Sequence, residues 1–121
     1  MRIFKDAWFS RFAWREKISD DKLKDAIVRA EKGSIDADLG GGVIKQRISR
    51  PGQGKSGGYR SVIVYRKGDL AFFLFGFAKS ERDNISMDEL ADFKKLAKGY
   101  LALSGRQIEV LLRNGELTEI L

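Results

Sequence analysis

Leu70 to Ala78, LAFFLFGFA, carries no polar side chain on either of its two alternating faces. Such a segment, set off by the turn residues Lys67, Gly68 and Asp69, is expected to be a central β-strand covered on both sides over much of its length. A turn that short cannot return a chain in the parallel sense, so the strand before it is antiparallel. That strand, Tyr59 to Lys67, alternates Arg60, Val62, Val64 and Arg66 with Tyr59, Ser61, Ile63 and Tyr65. Further upstream, Gly40, Gly41 and Gly42 break a helical pattern, and Val43 to Ser49 alternates Lys45, Arg47 and Ser49 with Ile44 and Ile48. The stretch between these two strands, RPGQGKSGG from Arg50 to Gly58, holds four glycines and the only proline of the chain, and reads as a basic loop.

Helical periodicity frames this sheet. Asp6 is placed to cap a helix over Ala7 to Glu16, in which Trp8, Phe9 and Phe12 recur as a core stripe. Ser19 opens a second helix with Asp20 and Asp21 at the positive end of its dipole, Leu23, Ala26, Ile27 and Ala30 on its buried face, and Gly33 as its stop. Ser86 and Glu89 form a capping box for a third helix, which Gly105 is expected to end. A short helix over Arg106 to Arg113 follows, and Arg2 to Lys5 and Leu117 to Ile120 are expected edge strands. The fold class is α+β: two N-terminal helices, an antiparallel sheet of three to five strands and a C-terminal helix, with the helices on one side of the sheet. At 121 residues the chain is expected to form one domain, residues 1–121.

Charge is distributed unevenly. From Leu39 to Gly68 there are seven basic residues and no carboxylate, so this segment contributes +7 to a net charge of +6 and the rest of the chain sums to −1. If the strand register allows, Lys45, Arg47, Arg60 and Lys79 share one face, with Arg82 behind and Arg50 and Lys55 overhead. Cations gathered in this way repel one another unless an anion fills the middle, and a phosphodiester has the right size. Arg66 and Lys67, beside a turn, are better read as solvated. The glycine-rich loop lacks the spacing of a nucleotide-binding P-loop and is not followed by a helix.

The chain has no cysteine and no histidine, which excludes disulfides, thiol nucleophiles and the commonest general base and metal ligand. Catalysis must rest on Lys, Arg, Tyr, Ser and carboxylates, and neither a metal nor another cofactor is expected. No apolar run approaches the ~20 residues of a membrane span, and the N-terminus lacks a signal-peptide core, so a cytoplasmic protein without membrane contact is expected.

The stretches GGVIKQRISRPGQGKSGGYRSVIVYR, FFLFGFAKSERDNI and GELTEI, in this order over essentially the whole chain, resemble the RelE/ParE superfamily of type II toxins. The resemblance implies a compact toxin held inactive by a cognate antitoxin. In RelE-like members the toxin acts on mRNA in the ribosome, without a metal, by attack of a 2′-hydroxyl on the adjacent phosphate. Carried over by position, Arg60 would stabilise the charge developing on phosphorus, and Lys45 and Arg47 would hold the phosphate, with Lys45 better able than Arg47 to assist the attacking hydroxyl. Arg82 would complete the catalytic set, while Arg50, Lys55, Tyr59 and Lys79 would contact RNA. Where RelE carries a tyrosine, this chain has Ile85 and Ser86. Two other functions fit the same fold: a ParE-like inhibitor of DNA gyrase, and a basic binding module without catalysis. The Lys45, Arg47 and Arg60 cluster favours the nuclease.

Overall fold

The computed structural model describes residues 1–50 and 57–121. Lys55 and most of the basic loop lie outside the described residues. The chain opens with β1 (Arg2–Asp6), whose last residue caps α1 (Ala7–Arg15) by accepting the Phe9 N–H on its carboxylate at 2.7 Å. Ser19 caps α2 (Asp20–Glu31). A hairpin of β2 (Ala37–Gly40) and β3 (Val43–Ile48) turns on Gly40, Gly41 and Gly42, all with positive φ, a conformation glycine adopts without a Cβ penalty. The strands β4 (Tyr59–Arg66) and β5 (Leu70–Ala78) form the second hairpin. Two helices with capping boxes follow, α3 (Met87–Leu101) from Ser86 and Glu89 and α4 (Gly105–Arg113) from Ser104 and Gln107, and β6 (Leu117–Ile120) comes last. Gly105 therefore starts a helix rather than ending one, because Ser104 offers the stronger signal one residue earlier.

Among the described residues, six strands lie in the order β2-β3-β4-β5-β1-β6. The architecture is α+β, with two departures from the sequence expectation. First, the sheet is mixed. β1 lies inside it, parallel to β5 through Phe4↔Phe72 and antiparallel to β6 through Ile3↔Ile120, so Arg2 to Lys5 is not an edge strand. Phe4 is fully buried and stacks on Phe72 at 5.0 Å, which an edge would not allow. Second, the helices cover both faces. On one side α1 and α2 press Phe9, Phe12, Leu23, Ala26 and Ile27 onto Ile44, Ile48, Ile63 and Phe73. On the other, Ala97 of α3 and Ile108 of α4 close over Val43, Val62, Val64, Phe72 and Leu74. Two apolar sheet faces need two apolar covers.

A β-bulge sets the phase at the end of β5. Val62 pairs with Phe75 but Ile63 pairs with Phe73, leaving Leu74 as an extra residue. Phe73 faces α1, 5.0 Å from Phe9, whereas Phe75 lies in the α3-side core, 5.5 Å from Phe93. Strict alternation would set Phe73, Phe75 and Phe77 on one face, and the bulge breaks that alignment. Among the described residues, no helix is long and apolar enough to cross a membrane.

Candidate active site

The side chains of Lys45, Arg47 and Arg60 occupy the sheet face that α3 covers further along. Alternation puts Ile44, Gln46 and Ile48 against α2 and leaves Lys45 and Arg47 on the other face. In the antiparallel register Arg47 stands directly opposite Arg60, and Lys45 opposite Val62. Like charges facing each other across a ladder destabilise it unless an anion intervenes. The intervening anion is Asp36, whose carboxylate lies 3.0 Å from Arg47 Nε and 3.7 Å from Arg60 Nε.

The position of Asp36 is fixed from behind. Gln46, fully buried, accepts the Asp36 N–H on Oε1 at 2.9 Å and donates through Nε2 to the carbonyls of Ala26 (2.9 Å) and Ser34 (3.0 Å). All the hydrogen-bonding capacity that desolvation would otherwise make costly is thus used, and the segment ahead of β2 is tied to α2.

Arg60 is 8% exposed, the one buried charged residue among those described. Its Nη1 donates to the Tyr59 carbonyl at 3.3 Å, and its Nε faces Asp36, so the guanidinium is only partly satisfied. Arg60 pairs in register with Phe77 of β5, and the Arg82 guanidinium lies over Phe77 at 5.4 Å and over Phe75 at 5.7 Å. Two hydrogen bonds hold Arg82 to Glu89, one of them from Nη1 to Oε2 at 3.2 Å, and Nε donates to the Asn84 carbonyl at 3.0 Å. Arg82 and the Ser86 N–H together hold the Glu89 carboxyl below the usual carboxylate range. Asn84 also accepts from Lys45 Nζ at 3.3 Å, which joins the loop after β5 to β3.

Four of the expected site residues therefore meet on one face: Lys45, Arg47, Arg60 and Arg82. Lys79 sits at the rim with its Nζ turned to Asp83, 3.4 Å from the carbonyl and 3.5 Å from the carboxylate. Arg50 and Tyr59 do not join the cluster. Tyr59 alternates to the α1 side, where it meets Phe12 edge-on at 5.8 Å and donates to the Glu16 carbonyl, and Arg50 lies over its ring at 5.4 Å. Burial is the main cause that raises the Tyr59 phenol above its ordinary pKa. Placing Arg50 over the phosphate site is corrected on this ground: it follows Tyr59 to the opposite face. Lys55 lies outside the described residues.

Two residues absent from the sequence reading complete the site, Asp36 and Asn84. Asp36 falls outside the acid-free segment but is returned to it by the triple-glycine turn, which sets Ala37 opposite Lys45. Counting Asp36 against Lys45, Arg47 and Arg60, and Glu89 against Arg82, the face keeps a surplus of two positive charges. A surplus of positive charge attracts anions.

A family model described as the RelE toxin of the RelE/RelB toxin–antitoxin system matches residues 1–120. No curated protein matches the chain.

Proposed function

The chain belongs to the RelE toxin family of toxin–antitoxin systems, and from that premise we propose that it is an mRNA endoribonuclease that works with the ribosome and needs no metal. Its partners are then mRNA, the ribosome and a cognate antitoxin. The observation that carries this reading is the convergence of Lys45, Arg47 and Arg60 on one sheet face with a single carboxylate shared between the two arginines.

In the proposed reaction the 2′-oxygen of a nucleotide attacks its own 3′-phosphorus, the bond from phosphorus to O5′ breaks, and a 2′,3′-cyclic phosphate and a 5′-hydroxyl are left. Arg47 and Arg60 receive the non-bridging oxygens. Asp36 engages both arginines through Nε, which leaves both Nη groups of Arg47 and Nη2 of Arg60 for the phosphate, Nη1 of Arg60 being held by the Tyr59 carbonyl. Charge builds on those oxygens in the transition state, and Arg60, shielded from water, interacts with it more strongly than an exposed cation would. Lys45, steadied by Asn84, acts as the free amine and takes the proton of the attacking hydroxyl, which a guanidinium does not do, while the departing O5′ takes a proton from water. Arg82, held by Glu89 over two phenyl rings, adds a second positive wall.

The test is induced expression followed by primer extension on cellular transcripts, with Arg60→Ala and Arg60→Lys beside the parent. Transcripts cut by the parent are expected to stay whole with Arg60→Ala, a loss of roughly 10²–10³ in rate for one transition-state contact. Partial cutting is expected with Arg60→Lys. Growth arrest with intact mRNA and broken DNA would sink the nuclease in favour of gyrase inhibition, and absence of toxicity would leave a binding module.

A further inference from the structure

Three helices end in the same way. After α2 the chain turns through Gly33 (φ +90°), with the Ser34 N–H bonded to the Arg29 carbonyl at 2.9 Å. After α4 it turns through Gly115 (φ +77°), with the Glu116 N–H bonded to the Leu111 carbonyl at 2.9 Å. After α1 the same pair of bonds recurs, from Ile18 N–H to the Ala13 carbonyl at 2.8 Å and from Lys17 N–H to the Trp14 carbonyl at 3.2 Å, but the left-handed residue is Lys17 (φ +57°). This is the Schellman cap, whose left-handed position belongs to glycine on steric grounds. Lys17 is the one residue other than glycine with positive φ among those described. The chain accepts backbone strain at this one cap, so the reason lies in the side chain.

That side chain borders a concavity of about 410 Å³ on the α1–α2 side of the sheet, lined by Arg15, Lys17, Lys22 and Arg50 with Tyr59 and one carboxylate, Glu16. Lys22 is committed to Ser49, donating to its hydroxyl at 3.0 Å, and Arg50 to the Tyr59 ring at 5.4 Å; Arg15 lies 3.7 Å from Glu16. The Lys17 ammonium has no partner among the described residues. Cations gathered round a concavity with a single carboxylate are the combination that holds a nucleic-acid strand by its phosphates.

We infer that Arg15, Lys17, Lys22 and Arg50 form a second RNA-backbone site on the sheet face opposite the proposed cleavage site, and that Lys17 occupies a glycine position in order to serve it. Tyr59 and Arg60, neighbours in β4, point to the two faces, so the two basic surfaces lie back to back at one end of the sheet. The inference rests on the nuclease reading for its choice of RNA as the polyanion.

The experiment measures binding of a single-stranded RNA oligonucleotide over roughly 0.05–0.3 M salt, beside thermal unfolding. Lys17→Gly is expected to raise the melting temperature by about 2–5 °C, while flattening the slope of log affinity against log salt by ~0.7, the value of one phosphate contact. Lys17→Arg is expected to keep the parental slope, as is Lys98→Ala, which removes an exposed lysine from α3. An unchanged slope in Lys17→Gly, or an equal loss in Lys98→Ala, overturns the second site. If Lys17→Gly weakens antitoxin binding and leaves the RNA slope alone, the surface is a protein contact and the inference is also overturned. Cleavage of transcripts by the parent, measured separately, tells failure of this site from failure of the nuclease reading.

Discussion

The Asp6 carboxyl has two opposing tasks. It accepts the Phe9 N–H as the cap of α1, yet burial pushes its pKa up to about 6 against the help of that hydrogen bond. The folded chain therefore holds this proton more tightly than the unfolded chain does. The cost of ionising it is absent below pH ~4 and grows until the pH passes about 6. Asp6→Asn keeps a capping oxygen and removes the charge. It is expected to match the parent in melting temperature near pH 4 and to exceed it near pH 7 by on the order of 1 kcal/mol, discounted for partial solvent access. Glu31, Glu89 and Glu119 work in the reverse sense: hydrogen bonds from Tyr65, Arg82 and Arg2 hold them low, so their stabilisation is lost on acidification. The difference between Asp6→Asn and the parent across pH isolates the Asp6 contribution. At this scale period-two alternation puts Lys45 and Arg47 on one face from the sequence alone, while Arg60, on the next strand, joins them only through the register Arg47↔Arg60. It does not show Asp36 and Asn84, whose roles depend on a hairpin register and on the path of a loop.

At the level of elements, helix starts were legible from the caps at Asp6, Ser19 and Ser86, whereas the capping box of Ser104 and Gln107 was missed because Gly105 reads as a stop. The bulge in β5 was hidden, because a strand apolar on both faces keeps the same pattern when one residue is inserted. The glycine two residues beyond the bulge has a steric reason. A Cβ at Gly76 would meet the Phe12 ring at 2.6 Å, and Phe12 has little room to move between Trp8 at 5.3 Å and Phe9 at 5.6 Å. Gly76→Ala is expected to destabilise the fold by about 1–3 kcal/mol, seen as a lower urea midpoint with the slope m unchanged.

For the whole molecule, the two-faced strand already implied a helical layer on each side of the sheet, and an expectation of helices on one side conflicts with it. With α1 and α2 placed on one face before β5 is reached, α3 and α4 have the other face to cover. The interior place of β1 was not readable, since five residues show no preference for a parallel over an antiparallel partner and β5 and β6 are remote in sequence. Phe4 joins these parts in the core shared with Phe72 and Leu117. Phe4→Ala is expected to cost about 3–5 kcal/mol, a large share of the ~5–15 kcal/mol that holds a typical domain together, and thermal unfolding measures it.

Because β1 is flanked by β5 on one edge and by β6 on the other, it is synthesised before either of the strands it pairs with. Its slot does not exist until Leu70–Ala78 has been made, and the outer edge stays open until Leu117–Ile120 arrives. A nascent chain that stalls before α4 keeps its cationic strands but leaves the outer edge of β1, with the buried Phe4, without its partner strand.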